Sequence, residues 1–387
     1  MNIQFFKLGH QVADWLETRW VSPAYAGWLL GSLAIFFFGA ATNTMAGWLY
    51  VISGVSLALL GIAAILPGRS LNSLRVRRFP INPVSVGDFL TIEVQIDNPT
   101  PQPKTLLKVQ DLIPFVLGKP VSTAIEIIPS QGNYLWTYYL PTQRRGLYRW
   151  SEVQLRTASP LGLFWCRRSQ QAKATAIVYP TVLPLTTCPL VDQMGQDPSQ
   201  QLYQGGRSLM ATEGLTRTLR PYRYGDPTRL IHWRTSARYG ELRVRELEVS
   251  MGGQEIIICL DSEAAWQPEK FEQAVVVAAS LYFYASKRQL NVKLWTAGTG
   301  LVYGCQVVLE ALAGVDANED AVENRPMLPL IWLSQNSASF NDLPSGSRWV
   351  FWPRDINPEK VLVKQDFPGL EIHPDRPLQL QLQASLN

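Results

Sequence analysis

Histidine is nearly absent from this 387-residue chain: His10, His232 and His373 are the full complement. Three histidines so far apart exclude a histidine-rich metal centre. Cysteine is almost as scarce. Cys166, Cys188, Cys259 and Cys305 form no CxxC pair, which excludes a zinc pattern and a secreted disulfide framework. They read as buried free thiols in a reducing compartment. The chain has no GxxxxGK[ST] segment, so it does not hydrolyse ATP by the P-loop route. Charged residues make up only 17%, against 13 tryptophans. That mix fits a chain that lies partly in a membrane.

Two uncharged runs supply that part. One covers about Tyr25–Ala41 and the other about Met45–Leu66, joined by Thr42-Asn43-Thr44. A membrane-crossing helix needs about 20 apolar residues, so the expectation is a transmembrane helical hairpin over 23–67. A cleaved signal peptide fits poorly, because it has a shorter apolar core and no second span. Arg69, Arg75, Arg77 and Arg78 follow the hairpin, Lys7 and Arg19 precede it, and the link has no basic residue. The positive-inside rule then puts both ends and the soluble body in the cytoplasm, at a bacterial inner membrane. Within residues 1–22, Phe5, Leu8, Val12, Trp15 and Leu16 recur at helical spacing, which predicts an amphipathic helix, either interfacial or packed.

From 74 to 184 the pattern turns to period two. Leu90, Ile92, Val94 and Ile96 alternate with polar residues, and further short runs follow at Leu106–Val109, Ala124–Ile128, Tyr134–Leu140, Tyr148–Leu155 and Ala174–Tyr179. Short strands spaced by Pro and Gly turns predict a β-sandwich-like domain of about seven antiparallel strands. Its expected role is a spacer or docking module. The link Thr186–Gly206 reads as a surface loop.

Arg207–Glu248 is chemically the densest stretch. It holds nine arginines, no lysine and five acids, among Tyr222, Tyr224, Trp233 and Tyr239. Guanidinium groups fork onto carboxylates and phosphates and stack on rings. Asp226 is a good N-cap, Pro227 a good first helical residue and Gly240 a good terminator, so a helix is predicted over about Pro227–Arg238. Leu230, Trp233 and Ala237 would share its buried face. His232 and Ser236 would stack one turn apart. A strand over Glu241–Val249 follows. Leu242 and Val244 alternate in one phase and Leu247 and Val249 in the other, which predicts a bulge near Arg245-Glu246.

Three readings of the segment stay open. Asp226, Glu241, Glu246 and Glu248 could accept Arg220, Arg229, Arg238 and Arg245 in an internal lattice. The arginines could instead form a recognition surface for an acidic partner or phosphate. A catalytic centre of Asp226, His232 and Ser236 is the least favoured, because no nucleophile turn frames the serine. Nucleic-acid or anionic-lipid binding is disfavoured by the five interleaved acids.

Arg220, Tyr222, Gly225, Asp226, Arg229, Ile231 and Trp233, then Ser236-Ala237-Arg238, Gly240 and Arg245-Glu246 follow a known order. This order resembles the signature of the bacterial domain-of-unknown-function family 58. Similar proteins also carry a two-span hairpin, an R-R-G turn (here Arg144-Arg145-Gly146) and a D-P-x-G-L-F turn. In this chain the last reads Ser159-Pro160-Leu161-Gly162-Leu163-Phe164, with serine in place of the acid. The resemblance covers most of the chain from the hairpin to about Asp261. It implies a multi-domain protein with a von Willebrand factor A-like α/β domain over 251–387 and the signature motif at 207–250.

The residues agree with an α/β domain. Strand-like runs at Gln254–Leu260, Val292–Trp295, Pro329–Leu333 and Trp349–Trp352 alternate with helical patterns at Phe271–Arg288 and Val307–Leu312, which predicts a parallel or mixed sheet covered on both faces. The segment is short for a complete A domain, so a trimmed one is expected. Such domains can bind a divalent cation at D-x-S-x-S. Here Glu263 and Ala265 replace the two serines after Asp261, so no metal site and no cofactor are expected. The resemblance further implies a non-enzymatic, membrane-anchored interaction or assembly protein acting with a MoxR-type AAA+ ATPase, without nucleic acid.

Overall fold

The structure is a computed structural model describing residues 15–194, 216–222, 231, 233, 236–237, 240–247, 255–353 and 368–386. The chain divides into two compact units, Met1–Tyr179 and Pro180–Asn387.

In the first unit the two uncharged runs form α1 (Tyr25–Thr44) and α2 (Gly47–Asn72). These are about 30 and 39 Å long at the helical rise. Both are long and apolar enough to cross a membrane. They meet through small residues: Ala34 and Ala41 are buried positions of α1, and the Ser53 hydroxyl donates to the Ala34 carbonyl at 2.9 Å. Small residues let helix backbones approach where no hydrophobic effect drives them together. Trp28, Phe36, Trp48, Val51 and Ile62 point outward, leaving an apolar exterior all round.

A two-residue strand, β1 (Ser22–Pro23), precedes the hairpin. After it come β2 (Arg75–Arg78), β3 (Val84–Ser85), β4 (Phe89–Asp97), β5 (Lys104–Asp111), β6 (Val121–Ile128), β7 (Asn133–Pro141), β8 (Gly146–Thr157) and β9 (Phe164–Tyr179). One sheet runs β1-β9-β8-β5-β6, with β3 added alongside β9, and the other runs β2-β4-β7. Their inner faces share one core, with Leu90, Ile92, Val94 and Trp136 from one sheet and Val109, Val153, Leu155 and Ala176 from the other. The period-two alternation of β4 places its isoleucines and valines on that side. All pairings are antiparallel except β3 with β9.

The hairpin is rooted in this β-rich module. Leu71 at the end of α2 belongs to the same core. The Glu17 carboxylate, buried at the base, receives Arg156 through two nitrogens and lies 3.4 Å from the Arg167 Nε. Arg168 donates to the carbonyls of Thr18 at 2.8 Å and Trp20 at 3.1 Å. A Cβ on Gly27 would sit 2.2 Å from the Leu163 carbonyl oxygen, so only glycine allows this approach. Trp15 in the leading helix is exposed.

Arg78 corrects the reading of the juxtamembrane arginines. It is no surface charge: its side chain is 1% exposed and its Nη2 donates to the Asp111 Oδ2 at 2.7 Å. The same carboxylate accepts from the Tyr138 hydroxyl at 2.6 Å and the Trp150 indole at 3.0 Å. The guanidinium carbon stands 5.1 Å from the Trp150 ring centre. Burial pushes the Asp111 carboxyl up, against the opposing pull of Tyr138, Arg78 and Trp150. Val76 and Arg78 share one strand phase, as do Leu107, Val109 and Asp111, so the alternation that buries the apolar residues also buries this pair.

The second unit centres on a sheet of β12 (Glu255–Leu260), β13 (Asn291–Thr296), β14 (Gly300–Val302), β15 (Leu330–Ser334), β16 (Arg348–Phe351) and β17 (Gly369–Glu371), in the order β14-β13-β12-β15-β16-β17. β14 is antiparallel to its neighbour and the others are parallel. The buried strands read as continuous apolar runs, as a sheet covered on both faces requires. On one face lie α4 (Pro268–Lys287), α5 (Cys305–Gly314) and α6 (Leu378–Gln383). On the other, Ile257, Cys259, Trp295 and Trp332 pack with Phe340 and Leu343, which come from a 3-10 turn (Ser337–Phe340) and the loop after it.

Two expectations need correction here. The link after Thr186 is not simply a surface loop: Leu190 and Val191 of a short helix, α3 (Pro189–Asp192), and the neighbouring Cys188 and Met194 are fully buried in the core of this unit. The thiols are also not uniformly buried, since Cys305 at the start of α5 is exposed.

Candidate functional site

The motif region builds a ribbon of two strands, β10 (Thr216–Pro221) and β11 (Arg243–Leu247), paired antiparallel. The register sets Arg220 opposite Val244, Leu219 opposite Arg245 and Thr218 opposite Glu246. The Tyr222 amide extends the ladder to the Leu242 carbonyl at 2.8 Å. Strand β10 has no forecast in the sequence, because TRTLRP lacks an apolar alternation. The bulge predicted near Arg245-Glu246 is not there: Arg243 to Glu246 pair without interruption, and the register shifts on β10, between Thr216 and Thr218.

Ile231 departs from the predicted helix. It forms an antiparallel bridge to Val244, and both side chains are buried. Trp233, Ser236 and Ala237 are helical, and Gly240 has a left-handed φ of 70°, as a residue just past a helix end requires. Trp233 and Ala237 were expected on the buried face, yet both face solvent, and Trp233 is 66% exposed. The bridge at Ile231 explains this. A residue held in a strand-like pairing cannot keep its helical phase with Trp233, so the face moves.

Ser236 is buried and joins the two parts of the motif. Its hydroxyl accepts from the Arg243 amide at 2.8 Å. Glu241 is exposed and lies 4.0 Å from Arg243, a residue outside the expected lattice. Gly225, Asp226, Arg229, His232 and Arg238 lie outside the described residues, as do the side chains of Arg220, Arg245 and Glu246. Arg243 matches no motif position; its shared strand phase with Arg245 was the available signal.

Asp261 ends β12, beside the point where the strand order reverses between β13 and β15. Open α/β sheets bind ligands at such points. Here the place is filled from within. The Ser334 hydroxyl donates to the Asp261 Oδ2 at 2.5 Å, and the Trp266 indole donates to the Asp261 carbonyl at 2.6 Å. The Ser262 hydroxyl accepts from the Ala297 amide at 2.9 Å. Burial pushes the Asp261 carboxyl up, and the nearby Glu263 charge adds to this against the pull of Ser334 and the Ala264 amide. Glu263 itself is exposed. Among the described residues no three His, Cys, Asp or Glu side chains gather as metal ligands would.

Residues 218–303, from the ribbon through β14, match the model of a family described as protein of unknown function DUF58. The match covers this segment of the chain. A relative from Bacillus subtilis (strain 168), the uncharacterized protein YeaD, is 23% identical over 298 residues, which cover 73% of this chain and 71% of that protein. The DUF58 region therefore sits inside a longer shared sequence. Among solved structures, the CARDB domain of PF1109 from Pyrococcus furiosus is 14% identical and matches 26% of this chain and 94% of its own, with a TM-score of 0.19. A beta-glucosidase from Listeria innocua is 13% identical over 26% of this chain and 16% of its own, with a TM-score of 0.15. Superpositions this loose bear on neither fold nor function.

Proposed function

We propose that this chain is a non-enzymatic, membrane-anchored interaction or assembly factor that works with a MoxR-type AAA+ ATPase. The observation that carries the reading is Trp233. It is exposed on the DUF58 region, beside a serine already engaged by the backbone of Arg243. An exposed tryptophan amid arginines has the composition of a protein-binding hot spot. The ATPase partner comes from the family resemblance, and the hairpin supplies the anchor. Both hairpin ends face the cytoplasm of a bacterial inner membrane in this reading, supported by Arg69, Arg75 and Arg77 beside the hairpin exit. Arg78, being buried, does not contribute. We also read the α/β unit as a trimmed von Willebrand factor A-like domain, supported by its parallel strand order and by Asp261 at the end of β12.

The test is affinity capture of the full chain from detergent extract in the presence of an ATPase-trapping nucleotide. An AAA+ ATPase should be enriched with the native chain and lost with Trp233→Ala. Enrichment of nucleic acid in its place, or of nothing, would overturn the proposal.

A further inference from the structure

Beside the hairpin, the β-rich module presents leucines to the surface where a loop in water would carry polar side chains. The turn between β8 and β9 reads Pro160-Leu161-Gly162-Leu163-Phe164-Trp165, with no charge until Arg167. It lies against the start of α1. The Ala24 amide donates to the Leu163 carbonyl at 2.8 Å, Ser22 and Pro23 pair with Trp165 and Phe164, and Gly27 leaves room for the Leu163 carbonyl. Leu161 at its tip is 44% exposed.

A second leucine arrives beside it by an unusual route. Leu106 has a φ of 53° and drops out of the β5–β6 register between Thr105 and Leu107. It is 70% exposed. The left-handed conformation costs a leucine about 1–2 kcal/mol, and the alternation that buries Leu107 and Val109 leaves this side chain on the outer face. The place is next to the turn, since the Thr105 and Ser159 hydroxyls are 2.9 Å apart and the Thr157 hydroxyl donates to the Leu106 carbonyl at 3.1 Å. Strain held at an exposed apolar residue points to a contact that the protein alone does not supply.

We propose that this contact is the lipid interface: the Pro160–Phe164 turn and Leu106 dip into the bilayer next to the hairpin and seat the β-rich module on the membrane. The inference rests on the reading that α1 and α2 cross the bilayer. Continuity with that hairpin identifies the occupant, because the turn packs on the first turn of the first span. Trp20, Tyr25 and Trp28, all exposed around the start of α1, supply the aromatic belt expected where a helix enters a membrane.

The experiment uses the full chain in nanodiscs, with Cys305→Ser removing the exposed thiol. An environment-sensitive fluorophore is placed by Leu161→Cys, Leu106→Cys, Phe36→Cys or Gln143→Cys, and lipids brominated near the glycerol or near the chain end serve as quenchers. Phe36 is the mid-span reference. Gln143 is exposed before the start of β8, about 40 Å of strand away from the turn. Positions 161 and 106 should lose fluorescence to the glycerol-side bromines, and position 143 should not. If both behave like 143 while 36 is quenched, the seating is wrong and the hairpin reading stands. If 36 is also unquenched, the hairpin reading falls and the seating falls with it.

Discussion

Arg78 and Asp111 should respond unequally to losing each other. Both side chains are buried, at 1% and 0% exposure. Breaking a buried pair by removing one partner costs about 3–5 kcal/mol. The two survivors differ, however. In Arg78→Met the carboxyl of Asp111 keeps the Tyr138 hydroxyl and the Trp150 indole, and it can take up a proton. In Asp111→Leu the guanidinium cannot give up its charge, and its Nε and Nη1 already lack a hydrogen-bond partner among the described residues. Asp111→Leu should therefore sit at the upper end of that range and Arg78→Met below it. Their pH dependence should differ too. Without Arg78 the folded carboxyl titrates still further above its unfolded value of about 3.9. The folded state then binds more protons than the unfolded one, and stability falls as pH rises through that window. Arg78→Met should be milder at pH 5 than at pH 8, whereas Asp111→Leu, which removes the titrating carboxyl, should not grow more severe as pH rises. Because the chain has two units, the readout should be local: amide hydrogen exchange of β5 and β8 peptides. A loss of 3–5 kcal/mol corresponds to about two to four decades in exchange rate. The double variant Arg78→Met/Asp111→Leu should cost less than the sum of the singles. Equal, pH-independent and additive losses would refute the reasoning.

Thiol titration of the native chain should modify Cys305 alone at pH 8. Cys166, Cys188 and Cys259 are buried, and burial pushes the Cys188 thiol up to about 12, so these three should react only after denaturation. Gly27→Val would drive a side chain into the Leu163 carbonyl. Overpacking against backbone costs about 1–3 kcal/mol or more, visible as faster exchange of the β1 and early β9 amides with the α/β unit unaffected. Asp261→Asn removes a carboxyl that burial holds above its ordinary value. A raised folded pKa makes wild-type stability fall as pH rises from about 3.9. The melting temperature of the variant should therefore gain on wild type between pH 4 and 7, and a constant difference would contradict the assignment.

Periodicity in the sequence reached most strands and helices of both units, because the observed sheets bury one face or both. Leu90 to Ile96 alternate and Ile256 to Leu260 run continuously, and these patterns cannot be mistaken for each other. Periodicity failed where an element's partner, and not its own pattern, decides its conformation. TRTLRP becomes β10 because β11 pairs with it. Cys188 to Met194 looked like a linker because four buried residues with Pro189 at the helix start are too few to show a period.

The motif illustrates a deeper limit. Its stop at Gly240 was legible, since a left-handed residue just past a helix end is local chemistry. Which residue is buried was not, because burial is set by what the chain meets next. Ile231 pairs with Val244 and both are buried, while Trp233 is exposed and Ser236, placed one turn from His232, turns inward to accept from the Arg243 amide. Local punctuation thus marks where an element stops, whereas tertiary pairing decides which of its side chains reach solvent.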